Sequence, residues 1–176
     1  GLSALNTITF QSQSKDSSKV NINFNGNSIF NYVFQIAGAN YIRLNQIGFS
    51  GEGNLLDIRG KALHTIVSGC LFKGSNTSQS YSVFDGTNEN DTGNLFRNNY
   101  FDGGYNGIYL SGANENANSI IGNKFDSLRN TGITCSGQRN LKIYGNDFTN
   151  LYNSSIGIYL NSNTGKLDVQ KNIISL

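Results

Sequence analysis

Two columns of residues recur along this chain at nearly the same interval, and a chain that repeats itself in this way has few folds open to it. The first column is a glycine that closes a short alternating segment: Gly38, Gly60, Gly86, Gly112 and Gly137, with Ser162 in the last copy, at steps of 22, 26, 26, 25 and 25. The second is aromatic or aliphatic: Phe24, Phe49, Phe72, Phe101, Phe125, Phe148 and Ile174, at steps of 25, 23, 29, 24, 23 and 26. Two independent columns that drift together mark stacked structural units, each of which buries its apolar face only against its neighbours.

Each unit carries a segment with two residues of one parity before the glycine. These pairs are Phe34/Ile36, Leu56/Ile58, Ser82/Phe84, Ile108/Leu110, Ile133/Cys135 and Ile158/Leu160. Strand alternation turns them inward and their neighbours outward. A second apolar file, Leu44, Val67, Phe96, Ile120, Ile143 and Val169, runs five residues before the aromatic column in most coils. Short alternating runs, β-branched residues and Gly-Asn turns favour strands over helices. The expected fold is all-β: a right-handed parallel β-helix of about six to seven coils, each of 22–29 residues. The chain of 176 residues reads as one domain, residues 1–176, with 1–33 an irregular first coil and 34–176 the regular coils.

Asparagine occupies the place two residues before the aromatic column in the later coils, at Asn99, Asn123, Asn146 and Asn172. Asparagine tolerates the left-handed conformation of a tight turn. Stacked copies can hydrogen-bond from coil to coil, so these four are expected to form a structural ladder.

Charge excludes some function classes. The net charge is +2 with 14% charged residues, which gives no basic field to attract nucleic acid. No apolar run approaches the ~18 residues of a membrane span. The opening Gly1-Leu2-Ser3-Ala4-Leu5 lacks the basic start and apolar run of a secretory leader, so a processed or excised segment is expected. The two cysteines, Cys70 and Cys135, fall three coils apart, too far for a disulfide, and are expected as free thiols.

The outward positions of the glycine-closed segments hold the candidate chemistry. In this register Asp57, Arg59 and Asp85 meet on adjacent coils, a group suited to acid–base work or to an acidic sugar. Tyr109 and Tyr159, two coils apart on the same file, are candidate glycan contacts. The long loop from Asp85 to Asn94 brings Asp85, Glu89 and Asp91 together with several amides, the composition of a Ca²⁺ loop but without EF-hand spacing. No cofactor is otherwise expected. His64, the sole histidine, lies in a turn with no Ser or Cys placed to complete a triad, and reads as a solvent-exposed turn residue.

The units Ser119-Ile120-Ile121-Gly122-Asn123-Lys124-Phe125 and Leu141-Lys142-Ile143-Tyr144-Gly145-Asn146-Asp147-Phe148 resemble repeats of the pectin-lyase-like superfamily. The opening Asn6-Thr7-Ile8-Thr9-Phe10-Gln11-Ser12-Gln13-Ser14, with Ala39-Asn40-Tyr41-Ile42-Arg43-Leu44, is similar to segments of large secreted Bacteroidetes surface proteins. The resemblance implies a β-helix and an extracellular, cell-surface setting. It carries no catalytic residues over, because no family motif surrounds Asp57, Arg59 and Asp85. The leading expectation is a non-catalytic structural or adhesive module, a segment of a larger surface protein or filament. Its partners would be polysaccharide, other surface proteins, or copies of itself stacked through uncapped ends. The alternative is a carbohydrate-active or carbohydrate-binding module, lyase-like or glycosidase-like, acting on acidic polysaccharide.

Overall fold

The computed structural model describes residues 2–25, 31–75, 80–86, 91–112, 115–152 and 155–175. Within them every regular element is a strand and every pairing between strands is parallel, giving sheets of seven, seven and six strands. Sheet A takes Ile8–Gln11, Ile42–Asn45, Ile66–Ser68, Leu95–Arg97, Ser119–Ile121, Lys142–Tyr144 and Asp168–Gln170. Sheet B takes Asn21–Asn25, Gly48–Glu52, Leu71–Lys73, Tyr100–Asp102, Lys124–Asp126, Asp147–Thr149 and Ile173–Ile174. Sheet C takes Tyr32–Ala37, Asn54–Arg59, Tyr81–Asp85, Asn106–Ser111, Thr131–Ser136 and Ile156–Asn161. The chain visits the sheets in rotation, which is a parallel β-solenoid. It makes about five turns, slightly fewer than the six to seven coils expected, and five strands in each of sheets A and B have a neighbour on both sides. No described helix is long and apolar enough to cross a membrane.

Stacking like on like fills the interior. Phe49, Phe72, Phe101, Phe125 and Phe148 form a continuous column with ring centroids 5.1, 4.9, 4.5 and 4.8 Å apart and planes within 14° of parallel. That spacing is the ~4.8 Å separation of neighbouring strands, so sheet geometry alone sets the stack. Opposite the rings, the last three sheet C strands carry glycine at their second position. A Cβ on Gly132 would stand 2.5 Å from the Phe148 ring and 2.7 Å from the Gly157 carbonyl oxygen. The glycines at 107, 132 and 157 therefore leave room for the ring or branched side chain beneath.

One corner is common to all the central coils. Between sheets A and B the chain turns through a left-handed residue (Gln46, Gly69, Asn98, Gly122, Gly145 and Lys171) followed by Ile47, Cys70, Asn99, Asn123, Asn146 and Asn172. The left-handed residue is thus the one before the stacked asparagine, and Asn99, Asn123, Asn146 and Asn172 themselves keep negative φ. This corrects the expectation that those four supply the left-handed turn. What they supply is hydrogen bonds. The Asn123 side chain accepts from Asn99 N and Nδ2 at 3.0 Å each, and its own Nδ2 donates to the Phe96 carbonyl and to Asn146 Oδ1, also at 3.0 Å. Asn146 and Asn172 repeat the pattern at 2.9–3.0 Å. A second file, Asn94 and Asn118, does comparable work at the corner before sheet A.

The register differs from the expected one at two places. In sheet B, Ile22 rather than Phe24 faces Phe49, and Phe24 lies opposite Gly51. A slip of two residues leaves the same face inward, so alternation could not distinguish the two. In sheet C, Val83 pairs with Leu56 and Ile108, and Asp85 pairs with Leu110. The inward pair of that coil is therefore Val83/Asp85, not Ser82/Phe84, and Gly86 is not equivalent to Gly112. A slip of one residue exchanges the two faces of the strand. Aligning on Gly86 placed Phe84 inside. Packing instead puts the small Ser82 where other coils have glycine, and leaves Phe84 on the outer surface.

Candidate functional site

The register shift in sheet C decides where the carboxylates stand. Asp57 and Arg59 remain on the outer face of their strand. Asp57 Oδ2 accepts from Gln35 Nε2 at 2.9 Å and is ion-paired with Arg59. Asp57 is fully covered while the Arg59 side chain is 40% exposed, so the guanidinium and its neighbours close over the carboxylate. Asp85 does not join them on that surface. It points into the solenoid, because position 85 takes the inward parity that Leu110 and Cys135 hold in the following coils. The expected outer group of Asp57, Arg59 and Asp85 is divided between two faces of one sheet.

Inside, Asp85 meets two other acids. Asp85 ends the strand Tyr81–Asp85, Asp91 enters the corner before Leu95–Arg97, and Glu115 enters the equivalent corner one coil later, before Ser119–Ile121. Carboxylate oxygens of the three lie within 4.8 Å of one another, and all three residues are 0% exposed. Glu89, expected as a third member, lies outside the described residues. Glu115 was missed. Its signal was present in the sequence as the insertion after Gly112, which lies on the same edge as the loop after Asp85.

Gln138 and Asn118 bring hydrogen bonds to Glu115. Gln138 Nε2 donates to Glu115 Oε2, joined at 3.3 Å by Asn118 Nδ2. Asn118 Nδ2 also lies 2.9 Å from Gln138 Oε1 and 3.1 Å from the Asp91 carbonyl oxygen. Among the described residues no side-chain or backbone N–H donor reaches Glu115 Oε1 or either oxygen of Asp85. The neighbour close enough to hydrogen-bond Asp85 is the Asp91 carboxyl, which can do so only by sharing a proton. Ion pairs among the described residues join Arg59 to Asp57, Lys73 to Asp102 and Lys124 to Asp126, and none of these involves Asp85 or Glu115.

Electrostatics follows from that isolation. Burial pushes the Asp85 carboxyl well above the usual carboxylate range, and the charges of Glu115, Asp91 and Asp57 push it further. Burial also raises Glu115, reinforced by Asp91 and opposed by the Gln138 hydrogen bond. The Cys135 thiol is raised as well, first by burial and then by Glu115 and Asp85, so it stays protonated and inert beside them. Burial likewise raises the Cys70 thiol, to about 11. Both cysteines are free and buried, as expected. An enclosed, all-oxygen set of this kind can hold protons or a hard cation.

The other candidates are superficial. Phe84, Tyr109 and Tyr81 form an outer aromatic group, with Phe84 stacked on Tyr109 at 5.4 Å and Tyr81 5.0 Å from Tyr109. Tyr159 is exposed two coils from Tyr109, with Thr134 between them. His64 is exposed as expected, in a left-handed turn position, and stacks on Tyr41 at 4.9 Å. No family model matches this chain, and neither the curated proteins nor the solved structures contain a match to it.

Proposed function

We propose that this chain is a non-catalytic structural or adhesive module, a length of β-solenoid able to associate along its axis with copies of itself. One observation carries the reading. A single inward file of sheet A runs Phe10, Leu44, Val67, Phe96, Ile120, Ile143 and Val169, and its five middle members are 0% exposed, so like side chains fill the interior from coil to coil. Val169 and Ile174, 39% and 51% exposed, offer apolar surface for the axial association. A place in a secreted or cell-surface rod belongs to the same proposal. It is supported by the polar, sparsely charged exterior and by the likeness of the repeat units to pectin-lyase-like coils.

The test is sedimentation velocity of the isolated chain over a range of concentrations, with negative-stain images. Axial association that grows with concentration is expected, and Val169→Lys combined with Ile174→Lys should abolish it by placing charge on the stacking surface. A chain that stays strictly monomeric at high concentration counts against the proposal.

The outer aromatic group favours a second reading, a carbohydrate-binding face. Phe84 and Tyr109 offer adjacent ring surfaces, and the Asp57–Arg59 pair lies one coil away on the same sheet. A glycan array would support it through binding that Tyr109→Ala and Arg59→Ala each weaken. Cleavage of an acidic polysaccharide lost in Arg59→Ala would displace the structural reading altogether.

A further inference from the structure

We propose that Asp85, Asp91 and Glu115 form an interior binding site for a hard divalent cation, Ca²⁺ in preference to Mg²⁺, bridging two successive coils of the solenoid. Three carboxylates sealed from water in an apolar column are costly unless opposite charge or protons balance them. Among the described residues no cationic side chain is ion-paired with Asp85 or Glu115. The Asp85 side chain, wholly buried and aimed at the other two, has no N–H donor on either oxygen among the described residues, and Glu115 Oε1 has none. Those are the atoms a cation would take.

Spacing and chemistry select the class of ion. Ca²⁺ binds oxygens at ~2.3–2.6 Å, so two ligands on opposite sides of it stand about 5 Å apart, and Mg²⁺ at ~2.0–2.1 Å requires about 4 Å. Carboxylate oxygens within 4.8 Å of one another can share either ion, and burial favours Ca²⁺, since Mg²⁺ usually keeps several waters. The set contains no imidazole, and the nearby Cys135 thiol is held protonated, which disfavours Zn²⁺. Gln138 and Asn118 complete the surroundings, since rotation of either amide turns a carbonyl oxygen toward the acids in place of a donor.

The backbone has made room for this arrangement. A Cβ on Gly112 would stand 2.1 Å from Glu115 Oε1, so the glycine admits the carboxylate to its position. Gly112 does not have positive φ, and its role here is therefore space rather than conformation. Because Asp85 and Asp91 belong to one coil and Glu115 to the next, a cation between them ties the two coils together.

The experiment is calorimetric titration of the EDTA-treated chain with CaCl₂, alongside thermal unfolding with and without millimolar Ca²⁺. The expected result is one Ca²⁺ per chain and a higher melting temperature when it is bound. Asp85→Asn and Glu115→Gln should each weaken binding by at least ~10-fold, since affinity follows ligand charge. Asp102→Asn, on the outer surface, should keep the full response. Two amide variants are used so that one suffices if the other fails to fold, with circular dichroism as the check. No heat and no melting shift in the wild-type chain would overturn the proposal. So would a Ca²⁺ response that survives undiminished in the amide variants.

Discussion

Asp85 occupies a file held by Leu110, Cys135 and Leu160 in the coils that follow. A carboxylate at that place is the largest single departure from the apolar interior, and its consequence is measurable through pH. The folded chain raises the carboxyls of Asp85 and Glu115 above their unfolded values near 4. It therefore binds more protons than the unfolded chain above that pH, and stability falls as pH rises. In EDTA, the melting temperature should be highest near about pH 4–5 and decline toward about pH 8. The carboxyls facing Asp85 are Glu115 and Asp91, with the protonated Cys135 thiol beside them; Asp57, paired with Arg59 on the outer face, acts in the same direction from across the sheet. Asp85→Asn should flatten the decline, and a wild-type curve that rises with pH in EDTA would refute the assignment. Asn146 is the opposite kind of buried polar residue, with its hydrogen bonds made. Replacing it by leucine strips partners from Asn123 N and Nδ2 and from the Ile120 carbonyl, and should destabilise by about 1–3 kcal/mol in chemical denaturation. An unchanged midpoint would show that those bonds contribute nothing.

At the scale of the element, the strand Tyr81–Asp85 is where periodicity and packing disagree. Both parities of Ser82-Val83-Phe84-Asp85 offer one apolar and one polar residue, so alternation gives no preference. The neighbours settle the register: Val83 fits the file of Leu56 and Ile108, and the Phe84 ring finds Tyr109 outside. Val83→Ala should cost about 1–3 kcal/mol through the cavity it leaves between two leucine-sized neighbours. Phe84→Ala leaves no interior cavity, and the smaller penalty expected is set by its contacts with Tyr81 and Tyr109. Thermal melts of the two variants decide it, and the reverse order would restore the Gly86 alignment. The corner between sheets A and B shows the complementary lesson. There the Gly-Asn dipeptides at Gly122-Asn123 and Gly145-Asn146 mark the turn openly, because one residue must be left-handed and the next must offer an amide.

For the whole molecule, each coil touches only the coils before and after it, so stability accumulates along one axis. The axial association proposed above would extend the same stacking. A cation held between the coils of Asp85 and Glu115 would reinforce the middle of the stack. There a polar group interrupts the sheet C core.

Sequence by itself determined the architecture. The recurrence of Phe49, Phe72, Phe101, Phe125 and Phe148, with Leu44, Val67, Phe96, Ile120 and Ile143, is a direct record of stacking, since identical rings fit a fixed strand spacing. The free, buried cysteines and exposed His64 followed from that register. Tertiary structure decided what lies within one residue of an ambiguity. It turned Asp85 from an outer partner of Arg59 into an inner partner of Asp91 and Glu115. It also brought Glu115 across from the next coil's insertion. Neither was legible, because a loop's path between strands is not periodic and a one-residue slip reverses which face is inside.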